Sequence, residues 1–323
     1  MELPPAVRLG FRADDGVHAL SGLTMGTGWS AKFVAPEGYD QKYVRSAIQD
    51  VLDGVSAEMS TWIADSAISK YNQAAAGTWH SLPADFHTVL EYSLCLASET
   101  GGAFDPTVGA LVDLWGFGPS GAPEHAPATD VVSSAQAGWR SVSLENGRGI
   151  RQPGGVRLDL SGVAKGFAVD RVSERLASLG FRNHLVEIGG ELCGRGMKSD
   201  GSPWWVAVEQ PQNGPAPEIV IALHELSVAT SGDAQRTVER DGVRWSHTID
   251  PRSRRPVSDE VASVTVVHRS CMFADALATA ITVLGPAEGM AFAVERGIAV
   301  RMVTRGPDVC REHMTPALDE MLS

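Results

Sequence analysis

The chain is predicted to adopt an α+β fold, on three observations. Residues before about 180 carry apolar positions at helical spacing, the residues beyond alternate short apolar strands, and neither strict strand–helix alternation nor a repeat of fixed period appears. At 323 residues, with 43% hydrophobic and 20% charged, the chain has a globular composition and the length to bury a large core. Residues 1–323 are read as one domain, and the breaker-rich run 118–128 as an exposed loop within it.

Each element has its own signal. Residues 41–59 place Val44, Ile48, Val51, Val55 and Met59 on one helical face, and Ser60-Thr61-Trp62 ends the pattern. Pro83 suits a first helical turn, Phe86, Leu90 and Leu94 continue its face, and Gly101-Gly102 stops it. From Ser141 to Leu160 a strand, an Asn146-Gly147 turn and a further strand predict a hairpin. Residues 164–179 carry Val169, Val172, Leu176 and Leu179 on one helical face before Gly180, which puts Lys165 at a helix entrance. Apolar strands follow near 184–188, 204–209, 219–223, 243–249 and 261–267, then a helix through Asp275, a second helix opened by Pro286, and a strand over 298–303.

Composition excludes some classes of function. A formal charge of -12 argues against a general nucleic-acid or anionic-membrane surface, so a bound pyrophosphate would need local compensation from a metal or from Lys165. Cys95, Cys193, Cys271 and Cys310 show no metal spacing and read as buried free thiols. No uninterrupted apolar run approaches bilayer length, so no transmembrane segment is expected. The first residues, Met1 to Arg8, lack the basic and apolar regions of a secretory leader; the expected compartment is cytoplasmic, or exported if a leader has been removed.

The chemistry is most legible in Ala274-Asp275-Ala276-Leu277-Ala278-Thr279-Ala280. A helix there sets a carboxylate and a hydroxyl one turn apart on one face, a donor pair suited to a hard cation such as Mg2+. Four further segments share the chain: His247-Thr248-Ile249-Asp250-Pro251, Ser231-Gly232-Asp233, Asp159-Leu160-Ser161-Gly162-Val163-Ala164-Lys165-Gly166, and Phe104-Asp105-Pro106-Thr107-Val108-Gly109. Taken together and in order, they resemble the ApbE family of Mg2+-dependent FAD:protein FMN transferases, from about Met25 to about Val303.

The resemblance implies an ApbE fold, with a T-fold-like βα core, a second β-rich lobe and the FAD site between them. It implies Mg2+ ligands at Asp275, Thr279 and the carbonyl of Gly162, and FAD contacts at Met25, Trp62, Ala103, Phe104, Asp105, Lys165 and Ile249. Trp62 stands where relatives commonly have tyrosine. His247 is implied as the base that takes the acceptor's proton, a role suited to a near-neutral pKa, and Asp233 as a residue that positions the base or a second cation. Asp250 either bonds His247 or starts the turn, and the turn is favoured. The implied activity moves FMN from FAD to a threonine or serine of an acceptor flavoprotein, with AMP leaving. FAD hydrolysis to FMN and AMP, or FAD binding without turnover, are the alternatives. Two departures stand out: Arg254 where relatives usually place glycine, and Glu187-Ile188-Gly189-Gly190-Glu191 in place of Asn-x-Gly-Gly-Asp.

Overall fold

The computed structural model describes residues 15–145, 147–208, 219–232, 237–240, 243–306 and 309–322. Strands β1 (Asp15–Thr24) and β2 (Thr27–Pro36) precede helices α1 (Gln41–Met59) and α2 (Ala67–Asn72), strand β3 (Trp79–Ser81), and helices α3 (Ala84–Glu99), α4 (Gly109–Leu114) and α5 (Thr129–Ser134). Strands β4 (Leu144–Glu145) and β5 (Gly149–Arg151) lead to helix α6 (Ala164–Ser178), then β6 (His184–Ile188), β7 (Glu191–Arg195), β8 (Trp204–Ala207), β9 (Val220–Leu223) and β10 (Leu226–Gly232). Next come β11 (Thr237–Arg240), β12 (Val243–Ser246), β13 (Ile249–Asp250), β14 (Arg255–Pro256) and β15 (Val261–His268). Helix α7 (Cys271–Glu295), β16 (Ala299–Arg305), β17 (Cys310–Met314) and α8 (Pro316–Leu322) complete the described chain.

One eight-stranded sheet organises the molecule, in the order β1-β2-β6-β7-β10-β15-β16-β17, with every neighbouring pair antiparallel. Side chains alternate across a strand, so adjacent residues enter different cores. Phe33, Val186, Ala229, Val266 and Val300 join the main core with α1, α3, α6 and α7. Their neighbours Val34, Leu185, Val228, Val267 and Ala299 join a second core with the β8–β9 hairpin and α8 on the opposite face. β15 is buried at seven of its eight positions because both its faces are covered. A third, small cluster of Leu111, Trp115, Val132, Trp245 and Ile249 joins α4 and α5 to the segment around β12 and β13.

The expected helices form where periodicity placed them. Pro83 caps α3, and α7 breaks at Gly285 (φ 78°) just before Pro286, so the two helices expected there run nearly continuously. The long strand expected after Asn146-Gly147 is shorter: β5 ends at Arg151 because Pro153 and the positive-φ pair Gly154 and Gly155 interrupt it, and Asn146 lies outside the described residues. The strand expected over 243–249 divides at His247, where the Ser246 hydroxyl accepts the Thr248 amide at 3.2 Å. The β1–β2 hairpin had no Asn-Gly signal; Met25 (φ 48°) and Gly26 (φ 74°) make its turn instead. Only Cys193 and Cys271 of the four free thiols are buried, and Cys95 is exposed. By length and composition alone α7 could cross a membrane, a property that a core helix also has, and Asp275, Thr279 and Thr282 interrupt its apolar run without ending the helix. It lies against α6, β10 and β15.

Candidate active site

The entrance of α6 and the first half of α7 form one seam. Asp170 on α6 caps α7: its carboxylate accepts the Ser270 hydroxyl at 2.7 Å and the Cys271 and Met272 amides at 2.9 and 3.0 Å. One turn earlier on α6, the Gly166 amide donates to Asp275 Oδ2 at 2.9 Å. Only glycine permits this approach, because a Cβ at 166 would stand 2.3 Å from the Cys271 carbonyl and 2.7 Å from the Asp275 Cβ. The packing is also close at Gly162, where a Cβ would lie 3.0 Å from Thr279 Oγ1. Gly162, more than a hundred residues from Asp275 and Thr279 in sequence, thus meets them beside the α6 N-terminus.

Charge at this seam is unbalanced. Lys165 is ion-paired with Glu191 at the start of β7, whose side chain is 3% exposed. An unpaired carboxylate so deep would cost several kcal/mol, which makes the lysine its required counter-ion. Burial raises both Glu191 and Asp275 above the ordinary carboxylate range, while Lys165 pulls each of them down. Two buried carboxyls therefore share one ammonium, and Glu191 Oε2 has no hydrogen-bond partner. A hard cation fits this donor set: carboxylate, hydroxyl and an approachable glycine backbone, with negative charge in excess. Among the described residues no cluster of three or more His, Cys, Asp or Glu forms a metal site; any cation here would rest on one carboxylate, one hydroxyl and backbone oxygen.

His247 is half-buried, its ring 6.4 Å from that of Phe117. Its surroundings belong to the third cluster, where Trp115 meets Trp245 edge to face at 5.3 Å. Asp250 makes the turn that follows: its Oδ1 accepts the Arg252 amide at 2.9 Å and Nε at 3.1 Å, and its carbonyl accepts the Arg254 amide at 2.7 Å. Arg254 itself has a left-handed backbone, with φ 61°. That conformation costs a side-chain-bearing residue roughly 1–2 kcal/mol.

The Phe104–Gly109 segment runs beside the strip that leads to Gly162. The Asp159 amide donates to the Pro106 carbonyl at 2.8 Å and the Gly109 amide to the Arg157 carbonyl at 3.0 Å. Asp105 is spent on its own loop: Oδ1 accepts the Thr107 amide and hydroxyl at 2.8 and 2.6 Å, and Oδ2 the Trp139 amide at 3.1 Å. Burial raises the Asp105 carboxyl, against these bonds. Ala103, Phe104 and Ile249 are likewise buried. Met25 sits at the β1–β2 turn, packed against the main core. Trp62, on the loop after α1, is 64% exposed and free to stack on a flat ring. Asp233 lies outside the described residues. Sequence reasoning gave no role to Glu191, Asp170 or the Arg254 side chain; the position of Glu191 directly after Gly189-Gly190 was the only available signal for the first.

The ApbE family matches residues 25–302. The FAD:protein FMN transferase of Vibrio cholerae serotype O1 (strain ATCC 39541 / Classical Ogawa 395 / O395) is 38% identical, over 95% of this chain and 93% of its own. That of Haemophilus influenzae (strain ATCC 51907 / DSM 11121 / KW20 / Rd) is 37% identical, over 90% and 87%. The crystal structure of the apo flavinyl transferase ApbE of Pseudomonas stutzeri superposes with a TM-score of 0.88 at 36% identity, covering 95% of this chain and 97% of that one. Fold and likeness together define an enzyme of the transferase class. The chain belongs to the ApbE family.

Proposed function

We propose that the protein transfers FMN from FAD to a threonine or serine hydroxyl of an acceptor flavoprotein and releases AMP, with Mg2+ at Asp275, Thr279 and the Gly162 carbonyl. The observation that carries this reading is the convergence of those three residues at a helix entrance that also bears Lys165. Relatives bearing the name FAD:protein FMN transferase support it.

The acceptor oxygen forms a bond to the FMN-side phosphorus while the bond from that phosphorus to the AMP oxygen breaks, and AMP leaves with the electron pair. His247 takes the hydroxyl proton, as an imidazole of near-neutral pKa suits. Lys165 and the α6 amides hold phosphate oxygens, where a helix N-terminus favours anions. When bound, Mg2+ supplies charge neutralisation and alignment of the pyrophosphate. Trp62 and Met25 hold flavin or adenine, and the buried Ala103, Phe104, Asp105 and Ile249 keep the walls in place.

Intact-mass spectrometry of a threonine-bearing flavoprotein acceptor, incubated with this protein, FAD and Mg2+, tests the proposal. An FMN adduct that requires Mg2+ is expected. Free FMN and AMP without an adduct would make the enzyme a hydrolase, and unchanged FAD would make it a binding protein.

A further inference from the structure

The side chain of Arg254 does what no glycine at that position does. Its Nη1 donates to the carbonyls of Val132, Ser133 and Ala135 at 3.2, 3.0 and 2.9 Å. These carbonyls lie at the C-terminal turn of α5, where helix carbonyls lack intrahelical partners and where a cation is favoured. At the same time the Arg254 carbonyl accepts the Trp115 indole N–H at 3.0 Å, and its amide closes the turn on Asp250. A glycine would keep the last two bonds and lose the first three. The residue thus ties the turn that follows His247 to both helices of the third cluster, which also holds Trp245 and Ile249 on either side of His247.

We propose that Arg254 is a positioning residue, which clamps the His247–Asp250 segment to α5 and so fixes the imidazole relative to the phosphorus under attack. The inference rests on the transferase reading above. It explains why a left-handed position carries a long side chain: the strain is offset by capping a helix that has no side-chain cap at its own start and whose C-terminal carbonyls the arginine gathers.

Arg254→Gly tests it, because glycine adopts the turn without strain and removes only the clamp. Amide hydrogen exchange across 129–135 is expected to quicken about ten-fold, and the His247 ring resonance, assigned with His247→Gln, to broaden or split. The kcat for FMN transfer should fall about ten-fold while the KM for FAD stays within about two-fold, the pattern of a lost transition-state arrangement. Arg254→Lys should lie between, since it keeps the cation at the helix C-terminus on a side chain whose nitrogen ends one bond short of Nη1. Unchanged exchange in Arg254→Gly would overturn the clamp; faster exchange with an unmoved His247 resonance and unchanged kcat would overturn the positioning role. The exchange and resonance measurements need no turnover, so a wild-type protein that made no adduct would sink the functional proposal and leave this test intact.

Discussion

The two groups of candidate site residues are held in different ways. Asp275, Thr279 and Gly162 are set by the α6–α7 seam, which lies inside the main core and is fastened by Asp170, Gly166 and backbone-to-side-chain bonds between two long helices. His247 is set by short elements, a five-residue satellite cluster and the turn ending at Arg254. Few buried contacts and short elements are the marks of segments that open at lower free energy, so the His247 segment is expected to open before the α6–α7 seam. On the proposed reading, the cation and phosphate geometry would then stay constant while the base remained adjustable.

Three experiments break or sharpen this contrast. Asp275→Asn keeps a hydrogen-bond acceptor for the Gly166 amide and removes the charge; FMN transfer should drop about 1000-fold, or about 4 kcal/mol, with circular dichroism unchanged. Full activity in Mg2+ would remove the metal assignment. The frame should also answer to pH through His184 on β6. That imidazole is buried; its Nδ1–H donates to the Phe181 carbonyl at 2.7 Å, so Nε2 accepts the Ser173 hydroxyl at 2.7 Å. Burial lowers its pKa from 6.5 to about 4. The unfolded chain binds the proton first, so stability is full above pH 6.5 and declines as pH falls to about 4, by on the order of 3 kcal/mol. Urea midpoints at pH 7 and pH 4.5 should show this loss, and His184→Gln should flatten it; an equal slope in both proteins would assign the loss elsewhere. His247→Ala should slow transfer about 100-fold with FAD affinity, measured by fluorescence quenching, within about two-fold. A large loss of affinity instead would place His247 among the ligand contacts.

The frame was legible and the joints were not. α1, α3 and α6 each carried a 3.6-residue period because each buries one face in the main core, whereas α7 is buried on nearly every side. The D-x-x-x-T spacing was visible because one helix carries both groups, and Gly162 was implied only by the family resemblance. What escaped is made by tertiary contact. Nothing local announces that Asp170 caps a helix begun a hundred residues later, or that Glu191 meets Lys165. The β1–β2 turn was hidden because Met25 occupies a left-handed position normally signalled by asparagine or glycine. At Arg254 the sequence showed a departure without its structural setting: a left-handed residue whose side chain bonds to α5.

The Lys165–Glu191 pair makes the free protein its own competitor. If Lys165 takes the phosphate proposed above, an incoming phosphate would have to displace a carboxylate already delivered by the same fold, whose effective concentration is in the millimolar range or higher. Buffer anions at comparable concentrations, each offering one weak contact, would lose that exchange. A nucleotide anchored through its rings would present its pyrophosphate at an effective concentration of its own and win it. On that reading, discrimination between FAD and inorganic anions would come from a bond broken within the protein as much as from any bond made to the ligand.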